Sequence, residues 1–307
     1  MRSGESGLGR SSYRDQIAVK VSAEKGLTLE ELDRNFELPV TAFIACMSGQ
    51  QSDVSSKKLW NILDENYEVL DTRISDVKVD PWTSPEQHMN NLSTLIRDND
   101  AFFQDVMTRW LQLSETLLNP MAIAAPRKQR GYLEMETFAA VSAVEQIQRE
   151  LTVGRPTPFA DSLKTKLSDC REALGLNSAE RRAIFNAVKL SEFTLQQRLE
   201  DLVGGETASF FEWFFQDHVK EWAEVSVKVR NRLAHGLALP EGQSEDYGLL
   251  MDVLEASKSV IFLRLLLECG FPQDELKERV ARNRAWKRQV QNSPKWPEYE
   301  RVLRAGG

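Results

Sequence analysis

The sequence predicts a mainly α protein, with a helical bundle over residues 126–290, a small α+β region before it over 1–125 and a basic tail after it over 291–307. Three observations predict this. Strand-like patterns occur only in the first third of the chain. Beyond the basic, Pro-containing segment Pro126–Arg130 they give way to apolar residues recurring every three or four positions. Start and stop residues for helices punctuate that second stretch.

Residues 1 to 14 are rich in Gly and Ser and are expected to be loose. Ile17-Ala18-Val19-Lys20-Val21, within Gln16–Ser22, alternates as a short strand does. Thr28 is a helix N-cap candidate, and Glu31 three residues on completes a capping box. The stripe Leu29, Leu32, Phe36, Val40, Phe43 and Ile44 carries that helix, with a kink expected at Pro39. Strands are expected at Lys58–Leu63 and Tyr67–Ile74. An aromatic-rich helix at Ala101–Leu118 is expected to end at Asn119-Pro120. In the bundle, helices are predicted at Tyr132–Leu151, Phe159–Leu174, Ser178–Leu202, Ser209–Leu237 (with an interruption allowed) and Tyr247–Cys269. Gly204-Gly205 makes a turn, and Gly270 followed by Pro272 stops the last helix.

Composition narrows the function classes. With 41% hydrophobic and 28% charged residues in 307, the chain is an ordinary globular one, which excludes global disorder. The most apolar stretch, Val260–Leu267, is broken by Arg264 and falls far short of the roughly 18–20 residues of a membrane span. The first residues carry no apolar core of a secretory signal, so a cytoplasmic, non-membrane protein is expected. Cys46, Cys170 and Cys269 are too few and too scattered for a disulfide framework or a zinc pattern. Cys170 and Cys269 read as small core residues. The net charge of −7 argues against a general nucleic-acid binder. That charge is uneven, however, because Lys277–Arg304 holds nine Lys or Arg against three Glu. Trp286 and Trp296 lie within this run. Its plain reading is a solvated amphipathic helix with a loose end. Its sharper reading is an RNA-contacting surface of Arg284, Lys287 and Arg288 on phosphates, with the tryptophans available for stacking.

Catalytic motifs of the common hydrolases are missing. There is no His-Glu-x-x-His pair, no Walker lysine loop and no Gly-x-Ser-x-Gly elbow. Of the three histidines, His88 lies in a polar stretch and reads as an exposed loop residue, and His218 reads as a helix-surface residue. His235 is different. Trp222, Val225, Val229 and Leu233 form one apolar helical stripe. At about 100° per residue, Asn231 lies about 200° and His235 about 240° from Val229, so both point away from the core, with Arg230 on the flank. Histidine titrates near neutrality and can move the proton of a ribose 2′-hydroxyl or of a leaving oxygen. Arginine offers forked donors to the charge that grows on a pentacoordinate phosphate. Asn231 can orient the imidazole or bind a phosphate oxygen. No metal or cofactor is required. The competing reading is that His235-Gly236 only ends a helix, with the imidazole at the negative end of its dipole and Gly236 as the left-handed cap.

Arg230-Asn231-x-x-x-His235 resembles the Arg-x4–6-His motif of HEPN domains, which are all-α bundles. Asn231–Gly236, followed after a polar loop by an apolar helix ending in Leu265–Gly270, is most similar to the C-terminal HEPN domain of ApeA-like abortive-infection proteins. Trp110-Leu111 and Glu134-x-x-x-Phe138 resemble the junction that precedes that domain in the same group. The resemblance implies a HEPN-like bundle and a metal-independent endoribonuclease of anti-phage defence. It implies catalytic roles for Arg230, Asn231 and His235, and a site completed across a homodimer. Arg232 is expected to hold a neighbouring phosphate. The expected partner is RNA, either tRNA or mRNA, with no DNA predicted. Full ApeA-like chains are longer and open with β-rich sequence, so a truncated or short variant is expected. The alternative function is a non-catalytic helical module for dimerisation or for binding a ligand or protein.

Overall fold

The computed structural model describes residues 27–48, 56–59, 70–73, 100–125, 131–153, 177, 180, 193–236, 243–282 and 284–305. Helix α1 (Leu29–Leu32) opens with the predicted capping box, in which the Glu31 amide donates to Thr28 Oγ1 at 3.1 Å and the Thr28 amide to Glu31 Oε2 at 2.8 Å. Those bonds hold the Glu31 carboxyl below its ordinary range. A π-helical turn, Asp33–Glu37, then leads into α2 (Leu38–Ser48). The disturbance expected at Pro39 takes this form: the chain widens by one residue ahead of a proline whose ring clashes with the preceding turn. Strands β1 (Ser56–Leu59) and β2 (Leu70–Arg73) pair antiparallel, Ser56 opposite Arg73 and Leu59 opposite Leu70. They overlap the two central strand expectations. The Gln16–Ser22 strand and the Phe159–Leu174 helix lie outside the described residues, as does most of Ser178–Leu202 before Phe193.

Helix α3 (Asp100–Ala124) is two helical segments that meet at a kink: the first breaks at Leu117, next to the expected end at Leu118, and helix then resumes through Pro120 instead of stopping there. Proline cannot donate to the Thr116 carbonyl, and the helix bends at Leu117 (φ −112°, ψ 19°). The Gln146 side-chain amide reaches that carbonyl at 3.4 Å. Leu117 at the bend and Met121 beyond it are fully buried, so the core holds the second segment against the bundle.

The bundle continues with α4 (Leu133–Leu151), α5 (Leu195–Leu202), α6 (Ala208–Phe215), α7 (Val219–Ala234), α8 (Gln243–Glu268), α9 (Gln273–Arg282), α10 (Arg284–Asn292) and α11 (Trp296–Ala305). The expected Ser209–Leu237 helix is interrupted between α6 and α7 by Gln216 and Asp217, both at positive φ. Helix α8 is buried along most of its length and packs on α3 and α4. It ends in the predicted glycine stop: Gly270 sits at φ +93°, and the Phe271 amide bonds the Leu266 carbonyl at 3.1 Å.

One hydrophobic core joins α2 and α3 to the bundle, across the 125/126 position at which the sequence character changes. Trp110 of α3 is its hinge pin. Its indole is fully buried, lies 5.1 Å from Phe43 and 6.4 Å from Phe262, and donates to the Pro39 carbonyl at 2.9 Å. Cys46 and Cys269 are buried, and burial pushes both thiols up to about 12, so both stay protonated at neutral pH. Cys170 lies outside the described residues.

The basic C-terminal run is helical, as its plain reading has it, but its end is corrected, since it is packed rather than loose. Trp296 and Leu303 are only 3% exposed, and Trp286 stacks on Phe262 at 5.7 Å. Tyr299 donates to Asp252 of α8 at 2.7 Å, and burial with that neighbouring carboxylate pushes the phenol up. The two tryptophans therefore serve the core rather than a nucleic-acid base. The apolar side of this amphipathic run is packed against the rest of the bundle. Among the described residues, no helix is long and apolar enough to cross a membrane.

Candidate active site

The site is built on α7. Its inner face is wider than the predicted stripe: Trp222, Ala223, Val225, Ser226 and Val229 are all fully buried, while Leu233 is only partly so. That face packs chiefly against α4, α5 and α11. Trp222 stacks on Phe215 at 4.7 Å, which anchors the first half of the helix. On the side toward α11, Glu224 accepts from Lys228 at 2.8 Å and from both Nε and Nη2 of Arg304, at 3.1 and 3.0 Å. Arg304, then Lys228, hold the Glu224 carboxyl down at about 2. Glu300, which also pairs with Arg304, faces Glu224 and is pushed up by it.

The last turn of α7 has the opposite character. Asn231 and His235 are exposed and Arg230 is half-buried, which is the disposition the periodicity predicts. The Arg230 guanidinium carbon lies over the Phe138 ring of α4, 5.3 Å from its centroid. Its Nη1 donates to Asn231 Oδ1 at 3.2 Å. Its Nε is buried and, among the described residues, has no hydrogen-bond partner. His235 is the C-cap, its amide bonded to the Asn231 carbonyl at 3.1 Å. Gly236 follows at φ +63° with its amide on the Leu233 carbonyl at 3.2 Å, a conformation that favours glycine. His235 is exposed, and its imidazole makes no hydrogen bond or ion pair among the described residues. Arg232 is partly buried on the same turn. The backbone thus satisfies itself at the helix end, and the side chains of Arg230, Asn231 and His235 are left to act outward.

The other sequence candidates fall elsewhere. Lys287 and Arg288 are exposed on α10, which also carries Arg284. That helix packs on α6, α8 and α9; α7 touches α6 and α8 as well but packs chiefly on α4, α5 and α11. Arg304 is spent on Glu224 and Glu300. The positive charge of the C-terminal run is therefore divided between separate elements and partly neutralised. His218 precedes α7, half-exposed, with Nδ1 3.7 Å from Glu221, the helix-surface position expected for it. His88 lies outside the described residues. No group of three His, Cys, Asp or Glu suited to a metal occurs among the described residues. A cavity of about 640 Å³ lies between Glu30–Leu38 and Glu115–Asn119, on α3 and the segment before it rather than on α7.

Phe138 is the site residue that reasoning from the residues had no means to assign. It was visible only as an aromatic opening the bundle, and no local pattern links it to Arg230. The comparison with protein families matches residues 138–275 to the Apea-like HEPN model, a stretch that opens at Phe138 and encloses Arg230, Asn231 and His235. No curated protein and no solved structure matches the chain. Over residues 138–275, from the first turns of α4 through α8 into the start of α9, the chain carries an Apea-like HEPN domain.

Proposed function

We propose that this domain is a metal-independent endoribonuclease of anti-phage defence, with Arg230, Asn231 and His235 as its catalytic residues. HEPN domains are in general ribonucleases, which supports the class of reaction. The observation that carries the assignment is the state of Arg230. Among the described residues it pairs with no carboxylate, so its full charge is open to a phosphate beside an unengaged imidazole.

In this reading the ribose 2′-oxygen attacks the adjacent phosphorus as a His235 imidazole takes its proton. Arg230 donates to the phosphorane oxygens, and Asn231 keeps the guanidinium aimed and offers its own amide. The bond to the 5′-oxygen breaks, and that oxygen takes a proton from a second histidine, which enters the step as the imidazolium and leaves it as the neutral imidazole. The products are a 2′,3′-cyclic phosphate and a 5′-hydroxyl. One chain offers one such histidine here, so the second is the partner's His235, and the working unit is a homodimer. Arg232 holds a flanking phosphate, while Arg284, Lys287 and Arg288 extend the RNA path along α10. Transfer RNA and messenger RNA both supply the required 2′-hydroxyl.

The test incubates purified protein with total RNA in EDTA, beside Arg230→Ala and His235→Ala. Cleavage by the wild type alone, leaving cyclic-phosphate ends, is expected. Intact RNA across several RNA classes would sink the nuclease reading. Cleavage that requires added divalent metal would remove the metal-independent mechanism. A second reading, a non-catalytic dimerisation or binding module, is favoured by one observation: His235 and Gly236 form a complete helix end by themselves. It predicts that His235→Ala only softens that end, by about 0.3–1 kcal/mol.

A further inference from the structure

Resting on the nuclease reading, we propose that Phe138 is a positioning residue for that reaction, acting through Arg230. Two contacts and one buried, unpaired atom define the guanidinium. The Phe138 ring lies against its carbon at 5.3 Å, the Asn231 amide oxygen takes one Nη1 proton at 3.2 Å, and Nε is buried without a hydrogen-bond partner among the described residues. All of these surroundings are neutral. Other arginines of this chain are held differently: Arg149 and Arg198 by Glu145, and Arg304 by Glu224 and Glu300. A carboxylate would fix Arg230 equally well but would cancel its charge and compete with phosphate for the same fork. An aromatic face attracts the cation through its quadrupole and leaves the charge and the terminal N–H groups unspent. The buried Nε directs the remaining donors of Nη1 and Nη2 outward. Phe138 thus supplies orientation and partial dehydration, both of which strengthen donation to the growing phosphorane charge.

The test compares wild type, Phe138→Leu, which keeps apolar bulk, and Phe138→Tyr, which keeps the ring face. Phe138→Leu is expected to lower kcat about tenfold with little change in KM, and Phe138→Tyr to restore it to within about threefold. An independent readout is the Arg230 Nε–Hε resonance, assigned by its loss in Arg230→Lys. It is shifted by the ring current in wild type and Phe138→Tyr, and moves to the position of solvent-exposed arginines in Phe138→Leu while the melting curve stays cooperative. Wild-type turnover in Phe138→Leu, equal impairment in both variants, or a resonance that does not move would each overturn the proposal. If the wild type cleaves no RNA, the nuclease reading fails separately. The resonance and the affinity for a 2′-O-methyl RNA oligonucleotide, expected to weaken in Phe138→Leu alone, then decide whether Phe138 positions Arg230 for phosphate.

Discussion

The two halves of α7 share one sixteen-residue helix and live in opposite environments. From Val219 to Val229 it is a structural beam, with Trp222 and Val225 in the core and Glu224 bound to α11. From Arg230 to Gly236 it is a more polar tip whose backbone closes on itself, where Asn231 and His235 are exposed, Arg230 rests on an aromatic face and Leu233 still touches the core. The buried half fixes where the tip stands, and Asn231 and His235 stay clear of the core packing that fills the rest of the helix. This arrangement suits a phosphodiester site, because the groups that must bind an anion are held by neighbours that do not neutralise them.

Substitutions in the two halves should separate activity from stability. The largest effect is expected from His235→Ala: RNA cleavage falls about 10²–10⁴-fold, read by gel assay in EDTA, while the thermal midpoint moves little. Comparable loss of folding in that variant would mean the tip is structural. Trp222→Ala should do the reverse in kind, costing about 3–5 kcal/mol in urea unfolding through a cavity beside Phe215, with activity lost only because the fold is lost. Gly236→Ala forces a left-handed conformation on an L-residue and should cost about 1 kcal/mol, without a steric clash, since an added Cβ meets nothing within 4 Å. Smallest are the carboxylates facing α11. Glu224 is held at about 2 against an ordinary 4.5, so its contribution is complete above about 4.5 and is lost as pH falls toward 2. Glu300 is raised, so its sign is opposite: its ionisation costs stability as pH rises through the range just above its ordinary value. At pH 7, Glu224→Gln should therefore lower the stability measured in urea by less than about 1 kcal/mol, and Glu300→Gln should leave it unchanged or slightly higher. Equal destabilisation by both would contradict the assigned signs.

Local signals fared well where the chemistry is local. The Thr28–Glu31 capping box, the Gly270 stop and the outward face of Asn231 and His235, with Arg230 on its flank, all follow from short spacings along one helix. The family motif stood on the same local spacing, and the match over residues 138–275 bears out that recognition. Errors arose where a distant surface overrode a local rule. Pro120 marked the break at Leu117 but not the helical segment that follows it, which the core holds by burying Leu117 and Met121 while Gln146 serves the orphaned carbonyl. Trp286 and Trp296 looked available for bases because they sit among nine positive charges. Phe262 and the C-terminal core claim them instead, since burying an indole outweighs leaving it exposed beside charged neighbours.

The sequence by itself determined the helical class, the cap positions and which side chains of α7 face outward, because each depends on a repeat set by helix geometry. Only the tertiary structure decided that α2 and α3 share the bundle's core, that the basic C-terminal run is packed, and that Phe138 meets Arg230. Those are contacts between residues far apart along the chain. They are selected by which apolar surfaces can be buried together, and no local pattern encodes that choice.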